Sequence, residues 1–427
     1  MFYDQFIIQR TNHQLRNSCF RALTHRIALS HLKNLKKFFW IIYIMSKFLK
    51  AVDEKIKPLV DSIDTYIKSL EIRGLVSFYD ADWGGIPTQV MFDRICKKLH
   101  GVKPMSHWIT YLYTEKAIDF SKKINPTNVC FLDYEPHEEI NEICKSADKV
   151  GIFGHHKERS DLKELCKNNR RFFYFNPRDW EGNLDGSYSR GLPILYPFLK
   201  IAENYGIEVS FVAALGLRGY GYRRLYDEMF SSNKKFLENN IDQIIENVNL
   251  LISYRLKNCY SIVEALYTAK SPNDESIRRI KRLCFENRLA EKKNEVIGKA
   301  IINSIILDDV QIFPIETDFE LIKPFVGELN KVRISARFGT TVCVQYINNI
   351  KKLRKISIRT SRDVDVPSLL KVAHEEQKYK NFGGHERSGG FISDDRNFKF
   401  ILKNFLEIYF SKTGQPKKIE LDDLSTL

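Results

Sequence analysis

From Phe48 onward the apolar residues Val52, Ile56, Leu59, Ile63, Ile67 and Leu70 recur at three- and four-residue steps, the period of a helix with one buried face. After Gly74 the period changes. Short β-rich runs, LVSFY at 75–79, HWITYLY at 107–113, NVCFLDY at 128–134, KVGIF at 149–153 and RRFFYF at 170–175, alternate with helical patterns such as 88-TQVMFDRICKKL-99 and 137-HEEINEICKSA-147. This alternation predicts an α/β domain, a mostly parallel sheet between helices. The aromatics Phe172, Phe173, Tyr174 and Phe175 are expected to pack a sheet buried on both faces rather than to stack on bases. Residues 190–305 read as mostly helical. Beyond 310 strands return in QIFPI, 331-KVRISARF-338, TTVCVQYI and 354-RKISIRT-360, followed by a helix at 367–378, a glycine-rich loop at 381–393 and a helix at 396–410. That is a smaller α+β domain. The expected division is a domain at 45–255, a helical connector at 256–309, a second domain at 310–412 and a tail at 413–427, whose IELDDL segment suits strand or helix addition to another protein.

Composition changes this picture at the amino terminus. The 427-residue chain carries a formal charge of +14, and nine of its Lys and Arg lie within residues 1–50 against Asp4 alone. Residues 1–44 are Arg-rich and acid-poor, while Met45 opens an amphipathic sequence. They therefore read as a translation start placed too early, with a functional extension or a targeting segment as the alternatives. The basic balance favours a polyanionic partner. Eight cysteines occur singly, without C-x-x-C pairs, as expected of buried thiols in a reducing cytoplasm. The run 38-FFWIIYIM-45 is too short to span a bilayer, so no membrane partner is expected.

Three polar clusters fall at the carboxyl ends of expected strands, where ligands collect in such sheets. Asp80 and Asp82 follow the first strand, Asp133 and Glu135 the third, and His155 and His156 the fourth. Carboxylates with imidazole suit a divalent ion such as Mn²⁺ or Mg²⁺, and a paired-metal site would activate water for phosphodiester hydrolysis. Singly, each carboxylate is more readily a turn or cap residue, and only their coincidence at successive strand ends favours a common site. In the second domain, 383-GGHERSGG-390 allows close backbone approach to a ligand, with donors from His385 and Ser388. Arg359 supplies a fork for phosphate or, equally, one charge of a basic edge strand.

The order D-x-D, then Asp, then His-His, followed by a separate domain with G-G-H-x-x-S-G-G, resembles the DHH phosphoesterase superfamily, in particular its RecJ-like branch. The resemblance covers most of the chain from about residue 70 and implies a parallel-sheet DHH-type domain with a DHH-associated α+β domain. It assigns single-stranded nucleic-acid contact to Arg359, Gly383, Gly384, His385, Ser388 and Gly389. The chain also departs from the family pattern. Phe78 stands where a His is expected, Gly154 precedes His155-His156 where an Asp is expected, and no Asp or Glu occurs from Val209 to Tyr226, where a fourth acidic ligand belongs and Arg218 stands instead. These losses imply that paired-metal catalysis is gone. Asp80, Asp82, Asp133 and His155, with His156 beside them, are left as a residual site for loosely held Mn²⁺ or Mg²⁺, or as hydrogen-bonding residues, and no cofactor is required.

By resemblance, the expected function is that of the inactive RecJ relatives in replication, the cell division control protein forty-five family, whose partners are the MCM ring and the GINS complex. The expected setting is cytoplasmic and nucleoid-associated. The alternatives are an active Mn²⁺-dependent single-strand exonuclease or oligonucleotide phosphodiesterase and, less well matched to the basic body, a small-nucleotide hydrolase.

Overall fold

The computed structural model describes residues 49–111, 113–155, 159–177, 192–230, 241–348, 353–375, 382–385 and 387–427. The basic extension 1–44 and its boundary at Met45 lie outside them. The first described element is a helix at 49–68, and the periodic residues Val52, Ile56, Leu59, Ile63 and Ile67 are all buried. Its apolar stripe closes one face of the first sheet. Among the described residues no helix is long and apolar enough to cross a membrane.

Five parallel strands form that sheet: β1 (Leu75–Asp80), β2 (Met105–Ile109), β3 (Asn128–Leu132), β4 (Lys149–Phe153) and β5 (Phe172–Phe175), in the order β2-β1-β3-β4-β5. Strand β1 lies between β2 and β3, so the direction of winding reverses beside it and opens a crevice at the carboxyl ends of β1 and β3. The helix Gly85–His100 starts immediately after that crevice and packs on the helices Leu195–Asn204, Ser210–Tyr220 and Asn258–Thr268. Two expectations change here. Of 137–147 only Ile140–Ile143 is helical, with turns at 138–139 and 144–146, and no side chain caps its start. Strand β5 is a sheet edge, with Phe172 buried but Phe173 exposed, so its four aromatics are not buried on both faces.

The second sheet has six strands, β6 (Ile305–Leu307), β7 (Val310–Ile315), β8 (Thr340–Asn348), β9 (Leu353–Thr360), β10 (Phe382–His385) and β11 (Ser388–Asp394), in the order β10-β11-β9-β8-β7-β6. Strands β7 and β8 are parallel and the rest antiparallel. Their crossover is the helix Lys323–Ser335, which takes up most of the expected strand 331–338. Pro324 in its first turn and the buried Phe325, Val326, Leu329 and Arg333 at helical steps outweigh the short alternation in KVRISARF. The expected glycine loop is a hairpin, with Gly383 opposite Gly390 and Gly384 opposite Gly389. The helices Val366–Glu375 and Phe398–Lys412 cover one face. The tail is not free for a partner, since Ile419 and Leu424 are fully buried in this second core. On the other face, Phe313, Ile315, Phe319, Ile322, Phe325 and Cys343 join the core of the first domain. That shared core brings the start of the helix Lys323–Ser335 to the crevice.

Candidate functional site in the interdomain crevice

Asp80 is the last residue of β1, and the chain then turns tightly into the helix Gly85–His100. In that turn Asp82 Oδ1 accepts the backbone N–H groups of Gly84 at 2.8 Å and Gly85 at 3.2 Å. The paired glycines are a steric requirement. A Cβ on Gly84 would stand 1.7 Å from Asp133 Oδ2, and one on Gly85 would stand 2.2 Å from the carbonyl oxygen of Asp80, distances that no side chain tolerates. Trp83, just before them, is buried and donates to Asn249 Oδ1 at 2.9 Å.

Asp133 follows β3 with φ 58, a left-handed conformation that Asp tolerates at a turn. Its Oδ1 lies 2.6 Å from His155 Nδ1, and His155 Nε2 lies 3.0 Å from the Tyr220 hydroxyl. Both imidazole nitrogens are therefore engaged within the protein. His156 lies outside the described residues. Glu135 is buried, and its Oε1 accepts from the Tyr174 hydroxyl at 3.0 Å. The glycine at 154 has a counterpart in this carboxylate: a Cβ there would fall 1.9 Å from Glu135 Oε1. The space into which a side chain at 154 would project is filled by Glu135.

The crevice also holds a cation from the second domain. Lys323 Nζ donates to Asp82 Oδ2 at 3.3 Å, and its charge acts on Asp80 and Asp133 as well. Burial pushes the Asp80 carboxyl well above its usual range, and the charges of Asp82 and Asp133 push it further. Burial likewise raises Asp133, with a contribution from Asp82. Burial would raise Asp82 too, but the Lys323 ammonium and the Gly84 and Gly85 amides outweigh it and hold Asp82 below the usual carboxylate range.

The other family positions resolve plainly. Phe78 is fully buried, stacked on Phe131 at 5.6 Å between ring centroids and flanked by Phe120 and His107. Arg218 is taken up by Asp242, through Nε at 2.9 Å and Nη2 at 3.0 Å. Two residues along the same helix, Tyr220 is the one that reaches the crevice. In the second domain Arg359, Ser388 and His385 occupy one row across β9, β11 and β10, so the structure gathers the expected contact residues. Gly383, Gly384 and His385 are described by their backbone. Gly389 is buried, Ser388 half-buried, and the Arg359 side chain exposed with Nη1 donating to the Ile358 carbonyl at 3.0 Å. Lys355 shares this strand face with Arg359 by the two-residue period. Burial, with the charges of Lys323 and Arg359, brings Lys355 down to about 8, while Asp80 opposes the shift. This face therefore looks onto the crevice.

The described residues of the crevice do not by themselves fit a pair of divalent metals. Among the described residues no three His, Cys, Asp or Glu side chains are grouped closely enough to hold an ion. His155 spends both nitrogens on protein partners, and an ammonium already neutralises part of the acid cluster. Glu135, Tyr220, Lys323 and Lys355 complete the site. Glu135 was legible from its strand end and Tyr220 lay in the stretch searched for a fourth ligand, whereas no local pattern marks Lys323 or Lys355.

No protein-family model and no curated protein matches the chain; the similarity lies in the fold. RecJ from Thermus thermophilus, solved in complex with Mn²⁺, aligns at a TM-score of 0.60 and 14% identity over 84% of this chain and 56% of its own. An exonuclease RecJ bound to manganese aligns at 0.54 and 14% identity, covering 86% of this chain and 97% of that one. The DHH domain of a protein described as belonging to a family of ribosomal proteins aligns at 0.60 and 16% identity, covering 87% and 93%. The chain thus spans little more than half of the Thermus protein. With its five-stranded parallel sheet, mixed second sheet and the crevice between them, it has the RecJ-like fold of DHH-domain proteins.

Proposed function

We propose that this chain is a RecJ-like protein without phosphodiesterase activity, in which the former catalytic crevice serves as an ionic joint between the domains. On this reading it is a scaffold in a replicative helicase assembly of the GINS and MCM type and contacts single-stranded DNA through Arg359 and the β10–β11 hairpin. The observation that carries it is Lys323 Nζ at 3.3 Å from Asp82, a fixed cation where the family pattern implies mobile ones. Each cation bound beside it would meet like charge. The test is a time course on end-labelled single strands with Mn²⁺, for the wild type and the Asp80→Ala/Asp133→Ala double variant. Equal, background-level cleavage is expected, and Mn²⁺-stimulated cleavage that the double variant loses would overturn the reading. Affinity capture from the native host is expected to recover MCM-type or GINS-type subunits, and their absence at low salt counts against the scaffold role.

A second reading rests on Glu135. Its carboxylate stands in the space of the missing side chain at 154 and could replace that acid in an active Mn²⁺-dependent single-strand exonuclease or oligonucleotide phosphodiesterase. The same assay decides between the two readings, with Glu135→Gln as the additional variant.

A further inference from the structure

The helix Glu275–Glu286 buries Ile277, Ile280 and Cys284 against the helices Ile241–Tyr254 and Asn258–Thr268. Cys284 Sγ donates to the Asn247 carbonyl at 3.1 Å, which fixes the helix rotation. A flank of the helix, about a third of a turn round from that buried face, carries Arg278, Lys281, Arg282 and Phe285. Steps of three, four and seven residues from Arg278 place all four on one stripe, and all four are solvent-accessible. Phe285 is 83% exposed. Glu275 reaches Arg278 at 3.7 Å and Arg282 at 3.1 Å, but these are surface pairs that contribute little. Lys281 has no ion pair among the described residues.

A phenyl ring left in water among three cations has a specific complement. A membrane surface would need a broad apolar face, and here that face is already buried. An acidic polypeptide would satisfy the cations but covers the ring only where it also carries an apolar side chain at the matching spacing. Single-stranded nucleic acid supplies both, a base face for the ring and phosphates for the cations. From Arg278 to Phe285 the helix rises about 10 Å, the length of about three stacked nucleotides. We propose that this stripe is a single-stranded nucleic-acid contact outside the crevice, with a base stacked on Phe285 and phosphates on Arg278, Lys281 and Arg282. The inference rests on the nucleic-acid part of the proposed function and adds a site separate from Arg359.

The test uses the full chain and fluorescence anisotropy of a labelled oligo-dT strand against salt concentration. The wild type is compared with Phe285→Ala, with the Arg278→Gln/Lys281→Gln/Arg282→Gln triple variant and with Arg359→Ala, each checked for folding by circular dichroism. Phe285→Ala is expected to weaken binding roughly five- to a hundredfold with the salt slope unchanged. The triple variant is expected to lower that slope by about two units. Wild-type binding by both stripe variants overturns the site. If Arg359→Ala alone loses affinity, the nucleic-acid reading stands without the stripe, and if no form binds, both fall. Binding of poly-glutamate that Phe285→Ala weakens equally overturns the ligand class in favour of an acidic polypeptide.

Discussion

Replacing Lys323 by Met removes the ammonium and keeps most of the apolar stem, which isolates the charge in the crevice. The Lys323 side chain is 55% exposed and that of Asp82 19%, so the bridge by itself contributes about 0–1 kcal/mol after solvent screening. Asp80 and Asp133 share the same cation, so the loss at neutral pH exceeds that of the bridge alone and carries a distinctive pH dependence. Asp80 and Asp133 have folded values above the unfolded value near ~3.9, so the folded chain holds the extra protons and stability falls as pH rises through that window. Asp82 is held below its usual value and contributes stability above the unfolded value that is lost as pH falls. Without Lys323 the first penalty deepens and the second contribution disappears. The Asp82 part is already present near about pH 4.5, whereas the Asp80 and Asp133 part grows as pH rises above the unfolded value, so the deficit of Lys323→Met is larger near about pH 7.5 than near about pH 4.5. Urea midpoints followed by tryptophan fluorescence at the two pH values measure it, with Lys323→Arg as the charge-retaining control. An equal deficit at both values, or a variant more stable than the wild type at the higher pH, refutes the ionic-joint reasoning.

Gly154→Ala drives a methyl group into the Glu135 carboxylate and is expected to cost about 1–3 kcal/mol. Adding Glu135→Gly relieves the overlap, and a double-mutant cycle in urea should show coupling above about 1 kcal/mol. Tyr220→Phe removes the hydroxyl at 3.0 Å from His155 Nε2, an expected loss of about 1 kcal/mol by the same measurement. Leu424→Ala opens a cavity where the tail packs on the second core. It should lower stability by about 2–5 kcal/mol, whereas a tail free in solution would show no change.

The alternation of strand and helix was legible because burial on both faces of a parallel sheet leaves short apolar runs, and β1, β3 and β4 begin where those runs begin. The strand expected at 331–338 was misread for a related reason. KVRISARF alternates over a few residues, but the buried positions that decide its state, Phe325, Val326 and Leu329, lie upstream in the same helix. The glycine motif was found as a motif and misjudged as a loop, since pairing of Gly383 with Gly390 and Gly384 with Gly389 depends on β9 beside it.

The site divides along the same line. Asp80, Asp82, Asp133 and His155 were identifiable from sequence because each sits at or just past the end of a strand, and strand order brings such ends together. The departures from the family pattern at Phe78 and Gly154 were also visible there. What stands in their place was not. Glu135 occupies the space beside Gly154, Tyr220 closes the second nitrogen of His155, and Lys323 arrives from 241 positions beyond Asp82. Period and motif are local properties that a few residues of backbone geometry dictate. Charge compensation in a crevice between two domains depends on which distant surfaces the shared core of Phe313, Phe319, Ile322 and Phe325 brings face to face, and that is decided only when the chain is folded.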